Sequence, residues 1–299
     1  QWIEQLREAG IRRIHENEPL APYTTWKIGG PADVLVIPED LGQLRAALQC
    51  FHRHGVPWTL LGKGSNTLVS DKGVRGAVIK LGSGFEQIRF EQDRVIAGAA
   101  FSFIKLSVLA AKHGLTGLEF AGGIPGSVGG AVYMNAGAHG SDVSRILLSA
   151  DVVLEDGELV RLQKEDFRFG YRHSVLQEKR AVVAEAVFQL AEGDRREIAA
   201  AMAIYKDRRL RTQPLQMPCA GSVFRNPENH HAAQLIEQAG LKGLRVGGAE
   251  VSRQHANFIV NTGNATAGDV LALIEQIQHI VLERFGIHLE PEVLLLGER

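Results

Sequence analysis

Between Gly117 and Gly140, eight of 24 residues are glycine. Each glycine inside a helix or strand costs about 0.5–1 kcal/mol relative to alanine. A run as dense as Ala121-Gly122-Gly123-Ile124-Pro125-Gly126-Ser127-Val128-Gly129-Gly130 is therefore expected to be loop or tight turn. Pro125, Val128 and Val132 make it too apolar for a solvated linker. Glycine lets backbone N–H groups approach a ligand closely, and clustered N–H groups bind phosphate. The enrichment holds for the whole chain: 33 of 299 residues are glycine, about 11% against a usual ~7%. A second loop, Gly62-Lys63-Gly64-Ser65-Asn66-Thr67, follows the strand Trp58-Thr59-Leu60-Leu61 directly. Its donors suit a pyrophosphate, although alone it reads equally well as a strand-exit turn.

Several familiar chemistries fail on spacing. No G-x-G-x-x-G opens a helix, so a Rossmann site is unsupported. Lys63 is followed by Gly64 rather than Ser or Thr, so there is no P-loop. No G-x-S-x-G elbow is present. His52, His54, His230 and His231 lack metal-ligand company, and no metal site is expected. Lys plus Arg is 33 and Asp plus Glu is 34, without the basic excess of a nucleic-acid binder. No apolar run approaches the ~18 residues of a membrane span. The first ~20 residues read as charged and helical, without the apolar region of a secretory signal. Two cysteines, Cys50 and Cys219, fit a reduced, cytoplasmic setting. Cys219 reads as a small buried residue, not a nucleophile.

The periodicity predicts a mixed α+β chain. Leu41, Leu44, Leu48 and Phe51 mark a helix stopped by Gly55, between strands at Val34–Ile37 and Trp58–Leu61, a unit that suggests parallel pairing. Short strands at 78–79, 88–90 and 94–97 precede a helix at 102–113. Asp156-Gly157 turns a hairpin within 149–162, and a strand follows at 182–190. A polar helix spans 195–209. The segment Thr212–Pro218 reads as a linker, followed by a helix at 230–238 and a strand at 258–260. A capping box at Thr266–Asp269 opens a helix that ends at Gly286, and a last strand covers 293–296. The expected organisation is residues 1–80, 81–212 and 213–299, with the final strand able to return to the first segment.

Taken in order, these segments resemble the UDP-N-acetylenolpyruvoylglucosamine reductase family. The resemblance rests on Thr24-Thr25-Trp26-Lys27-Ile28-Gly29-Gly30-Pro31-Ala32-Asp33, on residues 62–67, on Gly117-Leu118-Glu119-Phe120 and on 123–130. It continues through Asn135-Ala136-Gly137-Ala138-His139-Gly140 and Phe169-Gly170-Tyr171-Arg172-His173-Ser174. It ends with Ala220-Gly221-Ser222-Val223-Phe224-Arg225-Asn226-Pro227, with His255-Ala256-Asn257-Phe258-Ile259-Val260-Asn261, and with Leu289-Glu290-Pro291-Glu292-Val293. The resemblance implies an FAD-binding half of two subdomains, of the vanillyl-alcohol-oxidase (PCMH) type, followed by an α+β substrate domain. It implies NADPH-dependent, FAD-mediated reduction of an enolpyruvyl nucleotide sugar in peptidoglycan precursor synthesis. It also implies noncovalent FAD and a monomer or weak dimer, with neither nucleic acid nor membrane insertion. The chain has no room for an extra tyrosine-bearing loop, so it resembles the shorter, type II subgroup.

Hydride addition next to a carboxylate develops an enolate, which needs a cation, a polarising group and a proton donor. By the resemblance, Arg172 is the cation, Glu292 the polarising group and Ser222 the proton donor. Guanidinium stays charged and binds carboxylate through two contacts. Glu292 stands beside Val293 and Leu294, and partial burial would favour its protonated form. Gly62, Lys63, Gly64, Ser65, Asn66, Thr67, Gly122, Gly123, Ile124, Pro125, Gly126, Ser127, Gly129, Gly130, Asn135, Gly137 and Ala138 are the expected cofactor contacts. Tyr171, Lys206, Arg225 and Asn226 are the expected substrate contacts. Lys206, Arg208 and Arg209 could equally line a solvated helix face. An FAD-dependent oxidase with another small substrate, or a non-catalytic flavin or nucleotide module, are the competing readings.

Overall fold

The computed structural model describes residues 1–298. Two units divide the chain. The first comprises Gln1–His15, Leu35–Gly62 and Ala77–Arg208. Its centre is a five-stranded antiparallel sheet in the order Leu159–Gln163, Leu147–Leu154, Ala181–Gln189, Arg94–Gly98, Ile88–Glu91. Asp156-Gly157 makes the expected hairpin turn: Gly157 has φ 88° and the Asp156 carboxylate accepts from the Glu158 N–H at 2.9 Å. Five helices belong wholly or mainly to this unit: α1 (Trp2–Glu8), α2 (Leu41–His54), α3 (Phe103–Lys112), α4 (Val128–Met134) and α5 (Arg195–Thr212). The core joins Phe103 and Leu106 of α3, Val128 and Val132 of α4, and Val183, Ala186 and Phe188 of the central strand.

Several local expectations change. The N-terminal helix stops at Glu8, and Ile14–Pro19 is a strand. Gly10 has φ 92° and breaks the helix there. The strand Trp58–Leu60 takes Ala77–Ile79 as its parallel partner and does not pair with Pro31–Val36. Polar α5 continues to Thr212, into the expected linker. The glycine-rich run is not all loop: a 3-10 turn covers Glu119–Gly123, and Gly129 and Gly130 lie inside α4. Close approach explains glycine at 129. Its N–H donates to the Ala99 carbonyl at 2.8 Å, and a Cβ there would lie 3.1 Å from the Ala99 Cβ.

The second unit comprises Glu16–Val34, Lys63–Gly76 and the chain from Arg209 onward. It holds α6 (Ala232–Gln238), α7 (Ala267–Phe285) and an antiparallel sheet of Arg245–Val246, Ala249–Val251 and Ile259–Asn261. The expected capping box at α7 is present, with Thr266 and Asp269 bonded reciprocally, and Gly286 ends the helix at φ 67°. The Asp71 carboxylate also accepts from the Ala267 and Gly268 N–H groups at 2.8 and 2.9 Å. The last strand, Leu294–Leu296, runs parallel to Thr67–Val69. α6 begins two residues later than the periodicity suggests, at Ala232, whose N–H the Asn226 side chain accepts at 3.0 Å.

The Thr24–Asp33 motif works here as structure. Trp26 is fully buried, its indole N–H donates to the Ile259 carbonyl at 2.8 Å, and Asn261 donates back to the Trp26 carbonyl at 2.9 Å. Thr25 bonds the Gly64 carbonyl through its N–H and its hydroxyl, each at 3.1 Å. Gly64 has φ 67°, and a Cβ there would meet the Tyr23 carbonyl oxygen at 2.6 Å and the Thr24 Cα at 2.7 Å. Both neighbours are backbone and cannot yield cheaply. We expect Gly64→Ala to destabilise this unit by about 2–4 kcal/mol, the left-handed term plus the contact. Gly286→Ala, at the same φ of 67° with open space around it, should cost only ~1–2 kcal/mol. Denaturant unfolding of both variants checks this; equal losses would contradict the contact.

Candidate active site

In the first unit, Gly62 lies beside the 122–130 run: a Cβ on it would stand 3.4 Å from the Ser127 hydroxyl. Ser127 caps α4 by accepting from the Gly130 N–H at 3.2 Å. The Val128 N–H donates to the Phe101 carbonyl at 2.9 Å. With Gly129 bonded to Ala99, the amides of residues 128–130 are all taken inside the protein. These amides therefore shape the loop and do not form the open phosphate cradle that the glycine density suggests. Gly126, at φ 116°, turns the chain into α4, and Met202 of α5 packs over Gly122, its Cε 3.2 Å from where a Cβ would be. Gly122, Gly123, Ile124 and Gly126 are half-buried and Pro125 is exposed, which leaves this turn accessible. The turn at 122–126, with little side-chain bulk, fits a flat flavin nucleotide lying against backbone.

Ala138 and Ser141 flank a two-residue turn in which His139 and Gly140 have φ 54° and 79°. Two positive φ values are the requirement of a type I′ hairpin. The His139 ring stacks on Tyr205 of α5 with centroids 3.8 Å apart. Partial burial, and then the Arg208 charge, hold its imidazole below its ordinary pKa.

Arg172 stands on the turn Gly170–His173, closed by two backbone hydrogen bonds of 3.1 and 3.2 Å. Its own φ is 49°, a conformation that costs about 1–3 kcal/mol and persists only where the surroundings impose it. One guanidinium nitrogen donates to the Gly137 carbonyl at 3.0 Å, and the cation lies 5.1 Å from the centroid of the exposed Tyr171 ring. Asn135, expected at the cofactor, is buried and braces this turn. Its amide donates to the Gly170 carbonyl at 2.8 Å, and its oxygen accepts from the Ser144 N–H at 2.9 Å. From the other side Gln177 donates to the Arg172 carbonyl at 2.9 Å. Lys206 is exposed on α5.

In the second unit residues 223–225, directly after Ser222, pair strand-like with residues 290–292. Phe224 bridges Pro291. On either side of that bridge the Glu292 N–H donates to the Val223 carbonyl at 2.6 Å and the Arg225 N–H to the Glu290 carbonyl at 2.9 Å. Ser222, one residue before Val223, and Glu292 are both half-buried. Asn66 braces the Glu292 side: its side-chain amide donates to the Glu292 carbonyl at 3.3 Å and its backbone carbonyl accepts from the Leu294 N–H at 2.9 Å. Asn66 thus belongs to the frame of this pairing. Gly221 supplies the turn before Ser222, at φ 70°. Cys219 is half-buried, not fully buried as the sequence suggests. Burial raises the pKa of its thiol, against the Gly221 N–H and Arg209, so it is a poor nucleophile. Ser65 and Thr67 are half-buried, Lys63 is exposed, and Arg225 approaches Glu290 at 3.9 Å. Among the described residues no three His, Cys, Asp or Glu side chains cluster to hold a metal, and no helix is long and apolar enough to cross a membrane.

The sequence reading gave no role to Asn257, the buried side chain on which Phe224 is hung. Its signal was present: an asparagine between Ala256 and Phe258 on an apolar strand approach must find internal partners.

The family pattern described as UDP-N-acetylenolpyruvoylglucosamine reductase, C-terminal domain, matches residues 213–296, and that of the FAD binding domain matches residues 32–163. UDP-N-acetylenolpyruvoylglucosamine reductase of Bacillus licheniformis is 51% identical over 99% of this chain and 98% of its own. The chain belongs to the UDP-N-acetylenolpyruvoylglucosamine reductase family. The crystal structure of the Thermus caldophilus member superposes on 96% of this chain and 100% of its own, with a TM-score of 0.82 at 37% identity. A berberine bridge enzyme variant, a reticuline dehydrogenase, covers 65% of this chain with a TM-score of 0.52 at 11% identity, a likeness of fold alone. The expected architecture therefore stands: an α+β flavoprotein with an FAD-binding part of the vanillyl-alcohol-oxidase type and a C-terminal reductase domain. The protein is an FAD-dependent oxidoreductase.

Proposed function

We propose that this protein reduces UDP-N-acetylglucosamine enolpyruvate to UDP-N-acetylmuramate, with NADPH as hydride donor and noncovalent FAD, in peptidoglycan precursor synthesis. Bound FAD supplies the hydride relay between the two substrates, and the protein must bind, orient and protonate. Arg172 binds the enolpyruvyl carboxylate and stabilises the negative charge that develops beside it. The Ser222 hydroxyl gives its proton to the carbon next to the one that accepts hydride, and is reprotonated from solvent. Glu292 polarises the developing enolate. Tyr171, Lys206, Arg225 and Asn226 bind the nucleotide sugar. Residues 62–67, the turn at 122–127, Gly129, Gly130, Asn135, Gly137 and Ala138 surround the cofactor.

The observation that supports this reading is the pairing of residues 223–225 with 290–292, in which the 2.6 Å bond from Glu292 to Val223 sets Glu292 opposite the residue that follows Ser222. The first test is spectroscopic. The purified protein should be yellow, NADPH should bleach it rapidly, and acid denaturation should release all of the flavin. A flavin that NADPH leaves oxidised would refute the reductase reading, and flavin retained in the acid precipitate would refute noncovalent binding.

A further inference from the structure

We propose that Asn257 is a positioning residue that holds the segment carrying Ser222 against the strand carrying Glu292; this rests on the reading of Ser222 as proton donor. Phe224 is 1% exposed and Asn257 is 4% exposed. Phe224 sits opposite Pro291 in a pair whose hydrogen bonds are made by its neighbours, Val223 and Arg225. The N–H and C=O of Phe224 therefore face away from the 290–292 strand, into the interior. The Asn257 side chain takes both. Its oxygen accepts from the Phe224 N–H at 3.0 Å, and its amide donates to the Phe224 carbonyl at 2.9 Å. Its backbone carbonyl accepts from the Val223 N–H at 2.8 Å. One asparagine thus does what a third strand would do, pairing the outer edge of the segment that carries Ser222. No other side-chain type offers a donor and an acceptor in that fork except glutamine, which is one methylene longer.

The consequence is directional. Segment 222–224 is held on one side by residues 290–292 and on the other by Asn257, so the serine hydroxyl inherits its place from both. Loosening the outer side shifts Ser222. A misplacement of about 1 Å in a reacting group can cost about 10²-fold. Asn257→Asp is nearly isosteric. It retains the bond from the Phe224 N–H and turns a carboxylate oxygen toward the Phe224 carbonyl, where a donor stood.

Stopped-flow measurement on the flavin-loaded protein separates the two half-reactions. Asn257→Asp should be bleached by NADPH at the parental rate, and its reoxidation by the enolpyruvyl nucleotide sugar should slow by about 10- to 100-fold. In a Ser222→Ala background the same substitution should cause no further slowing, because the group it positions is gone. Amide exchange over residues 222–225 should also accelerate in Asn257→Asp, a readout independent of turnover. Equal slowing of both half-reactions would make Asn257 a support of the fold and overturn the proposal. So would equal slowing in the parental and Ser222→Ala backgrounds, or unaltered exchange. If Ser222→Ala alone leaves the second half-reaction at the parental rate, the role of Ser222 is wrong, and the proposal falls with it for that identifiable reason.

Discussion

Ser222→Ala is expected to leave reduction by NADPH nearly unchanged and to slow transfer to the enolpyruvyl substrate severely. Reduction of the cofactor needs no proton from Ser222, whereas completing the product does. Loss of a positioned general acid typically removes about 10²–10⁴-fold, and an unstable enolate with no donor beside it would lose at the upper end. Substrate affinity should change little, since one hydroxyl contributes about 0.5–1.5 kcal/mol to a large nucleotide interface. Ser222→Cys should recover part of the rate, because a thiol donates from nearly the same point. Rapid-mixing measurements of each half-reaction decide the matter. Equal slowing of both would mean that Ser222 only shapes its surroundings, and an undiminished second step would remove it from the chemistry.

The second large effect is expected at Arg172. Arg172→Ala should lose carboxylate affinity by about 1.5–3 kcal/mol, the range of a charge-assisted hydrogen bond. It should also lose about 2.7–4 kcal/mol of stabilisation where charge develops, as with removal of an oxyanion donor. The second half-reaction should then fall about 10²–10³-fold in rate at saturating substrate, beyond the loss in binding. Arg172→Lys keeps the charge but not the planar fork, and it gives up the geometry of the bond to Gly137, now 3.0 Å. It should recover little. The strained φ of 49° is part of the argument, since the turn braced by Asn135 and Gln177 holds the guanidinium in one place. A variant that raises KM and leaves the rate at saturation intact would show that Arg172 serves only to bind.

Much of this architecture was legible in the residues. Apolar spacing marked α2 and α7, Asp156-Gly157 marked the hairpin, and Thr266 with Asp269 marked a capping box that the structure contains. The glycine run was harder to read. Density alone argued for loop, yet Gly129 and Gly130 are helical: Ser127 caps α4, and at Gly129 the glycine answers the close approach of Ala99. Tertiary contact outweighed helix propensity there. Strand pairing was also out of reach: Trp58–Leu60 chose Ala77–Ile79, a partner that local pattern cannot specify. At the site, residue types were visible and partners were not. Asn66 and Asn135 read from sequence as cofactor contacts, and that their side chains also bond the Glu292 and Gly170 carbonyls is visible only in the fold. Asn257 was overlooked because its partners are backbone atoms of a segment distant in sequence.

The central claim, that the cofactor passes its electrons to an enolpyruvyl nucleotide sugar, is tested most directly without oxygen. The protein is reduced with one equivalent of NADPH, excess nicotinamide is removed, and the enolpyruvyl nucleotide sugar is added anaerobically. The flavin's visible absorbance should return at once, with the lactyl ether product formed in equal amount to the flavin reoxidised. Protein that stays bleached with substrate present, and regains its colour only when air is admitted, would contradict the account.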